Sequence, residues 1–337
     1  MEEIDILILG AGWTATFLIP LLLSQSKSKS EPTSRKDTTT PLSFAATTTD
    51  GRPVANHPTI RFKFDPASPS FQSSVAALPR ARHVLITFPL VGAGPSRTLV
   101  ETYTATHLTS AASASASASS SAPSPFRFIQ LGSTGIWQKP DDSASGVGAT
   151  SSANPWMTRH SSYTTADKRA VAEDELLALG GCVLELSGLW GGARDPRHWV
   201  DRVATSKEAV RGKKSLHMIH GVDVARAIVA VVRVDDEKWD RVGRGQRWML
   251  TDGFVYDWWA LFAGWAELKS VGEGEGEGEE DGGSVDAKPT RQAQWVYELM
   301  VEEGVRALPR SMEQLARCYD AREFWATFGL APLKGRI

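Results

Sequence analysis

Two glycines near the start of the chain follow an apolar run at residues 4–9. They belong to a G-x-G-x-x-A pattern formed by Gly10, Ala11, Gly12, Trp13, Thr14 and Ala15. In a strand–turn–helix unit, Gly10 permits a tight turn, Gly12 lets a diphosphate approach the backbone, and Ala15 lets the helix pack closely on the strand. Amide N–H groups at such a helix start attract phosphate oxygens. The segment therefore predicts a dinucleotide-binding site, with an ordinary tight turn as the alternative.

A second group of polar residues, Thr49, Asp50 and Arg52, follows the second apolar run. At the end of a second strand, a carboxylate accepts the ribose 2′-OH of NAD, whereas an arginine beside hydroxyls holds the 2′-phosphate of NADP. The hydroxyls and Arg52 favour NADP, Asp50 favours NAD, and a plain surface turn would explain the same residues. Phe88 and Pro89 follow the fourth run, where the adenine ribose is expected to lie, although Pro89 also simply ends a strand.

Apolar runs of strand length recur through the first half of the chain, at residues 4–9, 42–47, 59–64, 83–88 and 126–131. Helical or polar stretches separate them, as in a parallel sheet with helical crossovers. We therefore predict an α/β fold with a doubly wound parallel sheet. The second half is predicted to add strands at 182–186, 216–219 and 247–250, helices at 164–179, 222–232 and 255–268, and a helical remainder from residue 290.

Four segments have few apolar side chains to bury and are predicted to be surface insertions: residues 24–40, 110–125, 141–154 and 272–287. The last one contains a Gly-Glu repeat whose like charges repel each other. It lacks the alternating Asp and Asn ligands and the closing Glu of a calcium loop, so calcium binding is not expected. Residues 1–190 are predicted to form the core domain, and residues 191–337 the remaining sheet elements with a small C-terminal helical lobe.

Six of the twelve tryptophans lie between residues 248 and 325: Trp248, Trp258, Trp259, Trp265, Trp295 and Trp325. Indole rings bury large areas, so we expect these residues to pack the helical lobe against the sheet. An aromatic pocket is the alternative.

Five segments together resemble a known family: Gly10–Ala15, Ser133–Trp137, Arg169–Glu175, Leu186–Gly191 and Ile219–Ala225. Their order and spacing are similar to those of the extended and atypical short-chain dehydrogenase/reductase superfamily. The likeness is to its epimerase/dehydratase-like branch, in which the fifth strand ends in Ser-Ser-Thr-Gly-Val-Tyr-Gly. It covers most of residues 4–260 outside the insertions. It implies a Rossmann domain with a small substrate lobe, a nicotinamide cofactor, and an active site of Ser or Thr, Tyr and Lys.

The catalytic positions implied by this resemblance are only partly filled. Ser133 matches the serine that orients the substrate oxygen, while the family's tyrosine transfers a proton and its lysine lowers the tyrosine pKa. The Tyr-x-x-x-Lys pair is not found, because Tyr163 and Lys168 are five residues apart. Side chains at that spacing do not share a helix face unless the helix begins after Tyr163. We keep Ser133, Tyr163 and Lys168 as candidate catalytic residues, with the first turn of an ordinary helix as the alternative for the last two.

Four further residues have a functional and a plain interpretation. Asp65 resembles the family's adenine-contacting acid, and a turn-capping Asp explains it as well. Arg194 lies in a loop that resembles the one beside the nicotinamide, where it would hold a substrate anion; a surface arginine is the alternative. His220 and Asp223 have no third metal ligand nearby, so we predict helix capping by Asp223 or Gly221 and no metal site.

The composition excludes several other classes of protein. A formal net charge of −2 and a pI near 6.4 give no basic field, so nucleic acid is not an expected partner. Cys182 and Cys318 are too few for a disulfide framework or a four-cysteine zinc site, which is typical of a reducing compartment. The apolar run at 4–23 lacks the basic start of a signal peptide and is interrupted by glycines. We therefore expect a cytoplasmic protein with no membrane association.

These observations predict an NAD(P)-binding oxidoreductase or epimerase/dehydratase-like enzyme acting on a small carbonyl or hydroxyl compound, with nucleotide sugars among the candidates. The spacing of Tyr163 and Lys168 motivates an alternative, an NADP(H)-binding sensor or regulatory protein without turnover. A flavin-dependent enzyme that uses the same glycine turn is a third hypothesis. Neither the substrate nor the oligomeric state follows from the sequence.

Overall fold

The computed structural model describes residues 3–27, 40–108, 125–138, 155–266 and 288–337. The predicted insertions at 141–154 and 272–287 lie outside these ranges, as do most residues of the other two. Residues 24–27 continue the first helix, so the prediction that an insertion begins at residue 24 is wrong. Gln and Lys propagate a helix well once apolar packing has started it, which explains the longer helix.

Seven strands form the central sheet. In chain order they are β1 (Ile4–Leu9), β2 (Phe44–Thr48), β3 (Ile60–Arg61), β4 (Ala81–Ile86), β5 (Arg127–Ser133), β6 (Cys182–Leu186) and β7 (Arg247–Leu250). Their spatial order is β3-β2-β1-β4-β5-β6-β7, and all neighbours are parallel. The predicted doubly wound parallel sheet is confirmed. The strand order reverses between β1 and β4, the place where such sheets bind ligands.

Helices lie on both faces of this sheet. In chain order they are α1 (Ala15–Lys27), α2 (Phe71–Ala76), α3 (Pro95–His107), α4 (Lys168–Ala178), α5 (Val200–Val203), α6 (Lys207–Arg211), α7 (Gly221–Val232), α8 (Asp236–Val242), α9 (Trp258–Gly264), α10 (Arg291–Glu302), α11 (Met312–Leu315) and α12 (Arg322–Thr327). The predicted helix at 164–179 begins only at Lys168, because the Asp167 side chain caps it by accepting from the N–H groups of Arg169 and Ala170.

Strand β1 shows why its sequence is continuously apolar. Ile6 and Ile8 belong to the hydrophobic cluster that also contains α1 and α7, whereas Leu7 and Leu9 belong to the cluster that contains α3. Side chains alternate between the two faces of a strand, so both faces of β1 are buried. Each of these side chains contributes about 1.5–3 kcal/mol by leaving water.

The C-terminal part departs from the predicted elements. The predicted strand at 216–219 is two short strands, Ser215–Leu216 paired with Tyr256–Asp257, and Met218–His220 paired with Gly188–Trp190. The predicted helix at 255–268 therefore starts only at Trp258. The remainder from residue 290 is not all helical, since Cys318–Tyr319 forms a short strand beside Trp156–Met157. These pairings join segments far apart in the chain, which local periodicity does not reveal.

The six C-terminal tryptophans divide between two hydrophobic clusters. Trp248 and Trp325 lie in the cluster that contains β1 and α7, as expected for packing against the sheet. Trp258 and Trp259 lie instead inside a third cluster, with Trp265 and Trp295 packed against it. For these four residues the expected packing against the sheet is wrong, because α9 and α10 pack on each other.

Among the described residues, no helix combines the length and the apolar character that crossing a membrane requires.

Candidate functional site

The glycine turn after β1 leaves one face of the backbone open. Gly10 has a φ of +84°, and a Cβ placed there would lie 2.8 Å from Cδ1 of Phe88. Only glycine therefore fits at this position. Gly12 is exposed, and a Cβ placed on it would meet nothing nearer than the Gly10 carbonyl oxygen at 3.9 Å. The space beside Gly12 is thus free to receive a ligand.

Unpaired amides border this open face. In the part of the chain that the structure describes, no acceptor pairs with the backbone N–H of Trp13 or of Thr14. Both residues precede Ala15, the first residue of α1, so their N–H groups stand at the positive end of the helix dipole. The arrangement fits a diphosphate, which needs close approach and several donors.

The Trp13 side chain connects the glycine turn to the loop after β6. Its indole Nε1 donates to the Gly191 carbonyl oxygen at 3.0 Å, and the Arg194 guanidinium lies 4.8 Å from its ring centre. A Cβ on Gly191 would lie 2.2 Å from Nε2 of His220, so this loop packs directly against the His220 imidazole ring. The Arg194 loop and the predicted phosphate site are therefore neighbours.

The residues predicted for the adenine end lie at the same edge of the sheet. Asp50 and Arg52 are both exposed after β2, with 3.9 Å between Oδ1 of Asp50 and Nε of Arg52. The Arg52 amide donates to that carboxylate, which lowers the pKa of Asp50. Thr49 is exposed beside them. A carboxylate and a guanidinium thus lie side by side after β2, where either could contact a ribose.

Aromatic rings continue this edge towards β4. Phe88 stacks on Phe64, with ring centres 5.7 Å apart, and Asp65 follows Phe64 in the chain. Asp65 lies 3.7 Å from Nζ of Lys63, and Pro89 is exposed next to Phe88. Asp65, Phe88 and Pro89 therefore lie where β3 and β4 end, and their contact with adenine stays a prediction.

His220 and Asp223 have structural roles. His220 Nδ1 accepts from the Val222 N–H at 3.1 Å and so caps α7, a task predicted for Asp223 or Gly221. Asp223 is fully buried and accepts from the N–H groups of Leu333 and Lys334. That prediction of the capping residue is wrong, because tertiary contacts engage the Asp223 carboxylate elsewhere. Among the described residues, no group of three His, Cys, Asp or Glu side chains could hold a metal ion.

A cavity of about 370 Å³ lies at the ends of β5 and β6. Its wall is formed by Ser133, Thr134, Gly135, Gln138, Leu186, Ser187, Gly188, Ser215, Leu216, His217, Trp258, Arg317 and Tyr319. Ser133 ends β5, and its Oγ accepts from the Gly135 N–H at 3.2 Å. Ser187 Oγ is buried and has no hydrogen-bond partner among the described residues. A buried hydroxyl without a partner costs free energy, which a bound polar ligand would recover.

Tyr319 and His217 also line this cavity, although the sequence patterns did not identify them. The Tyr319 hydroxyl donates to the Thr134 carbonyl oxygen at 3.1 Å. The Tyr319 N–H donates to Nε2 of His217 at 3.0 Å, so the His217 proton must be on Nδ1. Burial, assisted by the positive charge of Arg317, lowers the pKa of His217 to about 3. His217 is therefore neutral at physiological pH.

Tyr163 and Lys168 do not line the cavity. The Tyr163 hydroxyl donates to Oδ1 of Asp174 at 2.6 Å, and the Arg247 guanidinium lies 4.4 Å from its ring centre. Burial and the bond to Asp174 raise the pKa of Tyr163. Lys168 is exposed, and its carbonyl oxygen accepts from the Gly92 N–H. The structure thus brings Ser133 to the cavity without these two partners, and their catalytic role stays a prediction.

A buried acidic pair lies behind the end of β5. Nε of Arg247 lies 2.7 Å from Oε1 of Glu185, and its Nη2 lies 3.4 Å from Oε2 of Glu173. Burial raises the pKa of both carboxyl groups, and the charge of Glu173 raises that of Glu185 further. A Cβ on Gly132 would lie 2.1 Å from Oε2 of Glu185, so Gly132 makes room for the pair. The network joins α4 to β6 and β7.

No protein-family model matches the chain, and no curated protein matches it. Solved structures do match. The protein SsCR shares 12% identity at a TM-score of 0.54, with 99% of this chain and 96% of that chain covered. A reductase engineered to attenuate substrate inhibition in asymmetric catalysis shares 12% identity at a TM-score of 0.52, with the same coverage of 99% and 96%. UDP-glucose 4-epimerase of Thermotoga maritima, solved with UDP-glucose, shares 12% identity at a TM-score of 0.49, with 98% and 94% covered.

At this level of identity, the likeness concerns the fold and not the reaction. The strand order of the sheet and the position of the glycine turn agree with it. The chain therefore has a Rossmann-type α/β fold and shares its overall fold with the two structures whose TM-scores exceed 0.5.

Proposed function

We propose that this protein binds a nicotinamide dinucleotide along the carboxyl edge of its sheet and acts as an oxidoreductase or epimerase-like enzyme on a small carbonyl or hydroxyl compound. The observation that carries the proposal is the open face of Gly12 beside the two amides without acceptors. The cavity at Ser133 lies at the same edge, where parallel strands end together.

Each group of residues has a distinct task in this proposal. The Trp13 and Thr14 amides bind the diphosphate, while Asp50 or Arg52 binds the adenine ribose. A bound nicotinamide would supply a hydride donor or acceptor. Ser133 orients the substrate oxygen by hydrogen bonding. The substrate is a small molecule, because a cavity of about 370 Å³ is at the lower end of ligand-site volumes.

Coenzyme binding tests the proposal directly. Mass spectrometry of nucleotide retained through purification, and titration of the protein with NADPH and NADH, should both detect association. Gly12→Val should fold, because its side chain enters open space, but it should abolish binding by filling the diphosphate path. Gly264→Val is the matched control, since a Cβ there likewise enters open space and meets nothing within 4 Å. Equal binding by Gly12→Val and wild type would refute the site.

The choice between coenzymes rests on Arg52 and Asp50. We propose a preference for NADP, because the Arg52 guanidinium can pair with a 2′-phosphate. Arg52→Ala should weaken NADPH binding by about 10-fold and leave NADH binding nearly unchanged. Wild-type protein that binds NADH more tightly than NADPH would show that Asp50 decides the choice.

A second candidate function is an NADP(H)-binding sensor without turnover. It is favoured by one observation, the engagement of Tyr163 with Asp174 away from the cavity. Incubation with NADPH and a panel of small aldehydes and ketones separates the two functions. Coenzyme oxidation that Ser133→Ala diminishes supports the enzyme, whereas tight binding without oxidation supports the sensor.

A further inference from the structure

We propose that Tyr319, and not Tyr163, transfers the proton to and from the substrate oxygen in the cavity beside Ser133. This inference rests on the proposed oxidoreductase function. It assigns the proton transfer to a residue contributed by the C-terminal segment of the chain.

The position of Tyr319 in the fold supports this assignment. The strand Cys318–Tyr319 pairs with Trp156–Met157, and this pairing brings the C-terminal segment against the end of β5. The Tyr319 hydroxyl then donates to the carbonyl oxygen of Thr134, the residue that follows Ser133. Ser133 and Tyr319 both line the cavity. An oxygen atom seated between them could accept from either hydroxyl.

Contacts on two sides fix the orientation of the Tyr319 ring. The Tyr319 backbone N–H is held by His217, and the two rings lie 4.3 Å apart, tilted by 31°. Trp137 contacts the same phenol ring, with ring centres 6.3 Å apart. A ring held on two sides keeps its hydroxyl in place, as a proton donor requires. His217 is neutral and so orients Tyr319 without competing as an acid.

A positively charged side chain lies near the Tyr319 ring. The Arg317 guanidinium lies 5.5 Å from the Tyr319 ring centre and also lines the cavity. A nearby positive charge stabilises the negative charge that a phenol gains when it gives up its proton. Tyr163 also has a guanidinium near its ring, that of Arg247 at 4.4 Å, but its hydroxyl already donates to the carboxylate of Asp174, which opposes loss of the phenol proton. The Tyr319 hydroxyl donates instead to a neutral carbonyl oxygen, so the two hydroxyls differ in their acceptor.

In the reducing direction, the substrate carbonyl becomes an alcohol and Tyr319 gives up its proton. The substrate carbonyl carbon gains a hydride with its two electrons, which the reduced nicotinamide of a bound coenzyme would supply, and the electrons of the C=O π bond move to the oxygen. That oxygen takes the proton of the Tyr319 O–H bond, which breaks, so the substrate becomes an alcohol. The phenolate left behind is reprotonated by water, and oxidation runs through the same changes in reverse.

Paired substitutions test the inference. Tyr319→Phe keeps the ring, and so should keep the fold and wild-type NADPH affinity, but should lower kcat by about 100-fold or more. Tyr163→Phe, the matched control, should lower kcat by less than about 5-fold. Turnover that survives Tyr319→Phe, or that Tyr163→Phe abolishes, overturns the inference. Wild-type protein that binds neither coenzyme overturns the proposed function itself, so the two failures are distinguishable.

A measurement without coenzyme provides a second readout. The chain has five tyrosines, so carbon-13 labelling at Cζ gives five signals, which single Tyr→Phe substitutions assign. Cyclohexanone, hydroxyacetone and pyruvate serve as probes. A ketone that the enzyme reduces should shift the Tyr319 signal and leave that of Tyr163 in place. An unmoved Tyr319 signal with such a ketone overturns the inference even if Tyr319→Phe fails to fold.

Discussion

At the scale of single residues, burial decides the charge of His217. This side chain is 5% exposed and receives the Tyr319 N–H on Nε2. A charged imidazolium would lose its hydration there and would have no lone pair for that N–H. Its pKa of about 3 follows from burial first and from the charge of Arg317 second. The unfolded chain, with an ordinary histidine pKa near 6.5, binds this proton far more readily.

We expect the free energy of unfolding to fall more steeply with acid in the wild type than in His217→Gln. The stability from neutral His217 is complete above about pH 6.5 and is lost as the pH falls towards 3, because only the unfolded chain then takes up the proton. Between about pH 3 and pH 6.5, the free energy of unfolding should change with pH more steeply in the wild type than in His217→Gln, by up to about 1.4 kcal/mol per pH unit. Urea titrations at several pH values measure this difference. His198→Gln, an exposed control, should retain the wild-type slope.

At the scale of elements, α7 connects the sheet to the chain terminus. Its apolar face belongs to the cluster that also contains Ile6 and Ile8, and its first turn carries Asp223. The Asp223 carboxylate accepts from the Leu333 N–H at 2.8 Å, the Lys334 N–H at 2.9 Å and Nη1 of Arg226 at 2.9 Å. One buried side chain thereby holds the C-terminal segment against the start of a helix.

Asp223→Ala should destabilise the protein by about 3 kcal/mol, because it removes the acceptor of three hydrogen bonds, one of them donated by a guanidinium. It should also speed hydrogen exchange at the Leu333 and Lys334 amides, which mass spectrometry of the C-terminal peptide would detect. Glu237→Ala breaks only an exposed ion pair with Arg241, so it should change stability by less than about 0.5 kcal/mol. Unchanged exchange at residues 333 and 334 would contradict the anchoring role.

At the scale of the whole molecule, the cavity needs both halves of the chain. Ser133 ends strand β5 and Ser187 directly follows strand β6, whereas Trp258 and Tyr319 come from the C-terminal part. A buried ion pair holds that part together. Nη2 of Arg310 lies 2.7 Å from Oδ1 of Asp257 and also donates to the Lys213 carbonyl oxygen. The Arg310 side chain is 2% exposed and the Asp257 side chain is fully buried.

Arg310→Met should lower the free energy of unfolding by about 3–5 kcal/mol, because it leaves the Asp257 carboxylate buried without its cation. Arg322→Met is the matched control, since the Arg322 side chain is 90% exposed beside Asp320. Its effect should stay below about 1 kcal/mol. Urea unfolding of the two variants measures both values, and similar losses in the two would contradict the assignment.

Local patterns predicted a parallel sheet and the glycine turn, because apolar strand runs and the G-x-G-x-x-A spacing each involve only a few neighbouring residues. They also placed Ser133 at the end of a strand. They also separated the turn glycine, Gly10, from Gly12, which was predicted to face the diphosphate. The structure adds that Gly10 must be glycine to fit against Phe88, while the face of Gly12 is open.

The sequence by itself determined the fold class and predicted which edge of the sheet faces a coenzyme, while tertiary structure decided what surrounds the cavity. Tyr319 reaches the Thr134 carbonyl across 185 residues of chain. Its two-residue strand is too short to carry a periodic signal. Tyr163, closer in sequence, donates to Asp174 instead. Which tyrosine lines the same cavity as Ser133 depends on strand pairing and helix packing between distant segments, and neighbouring residues do not encode that choice.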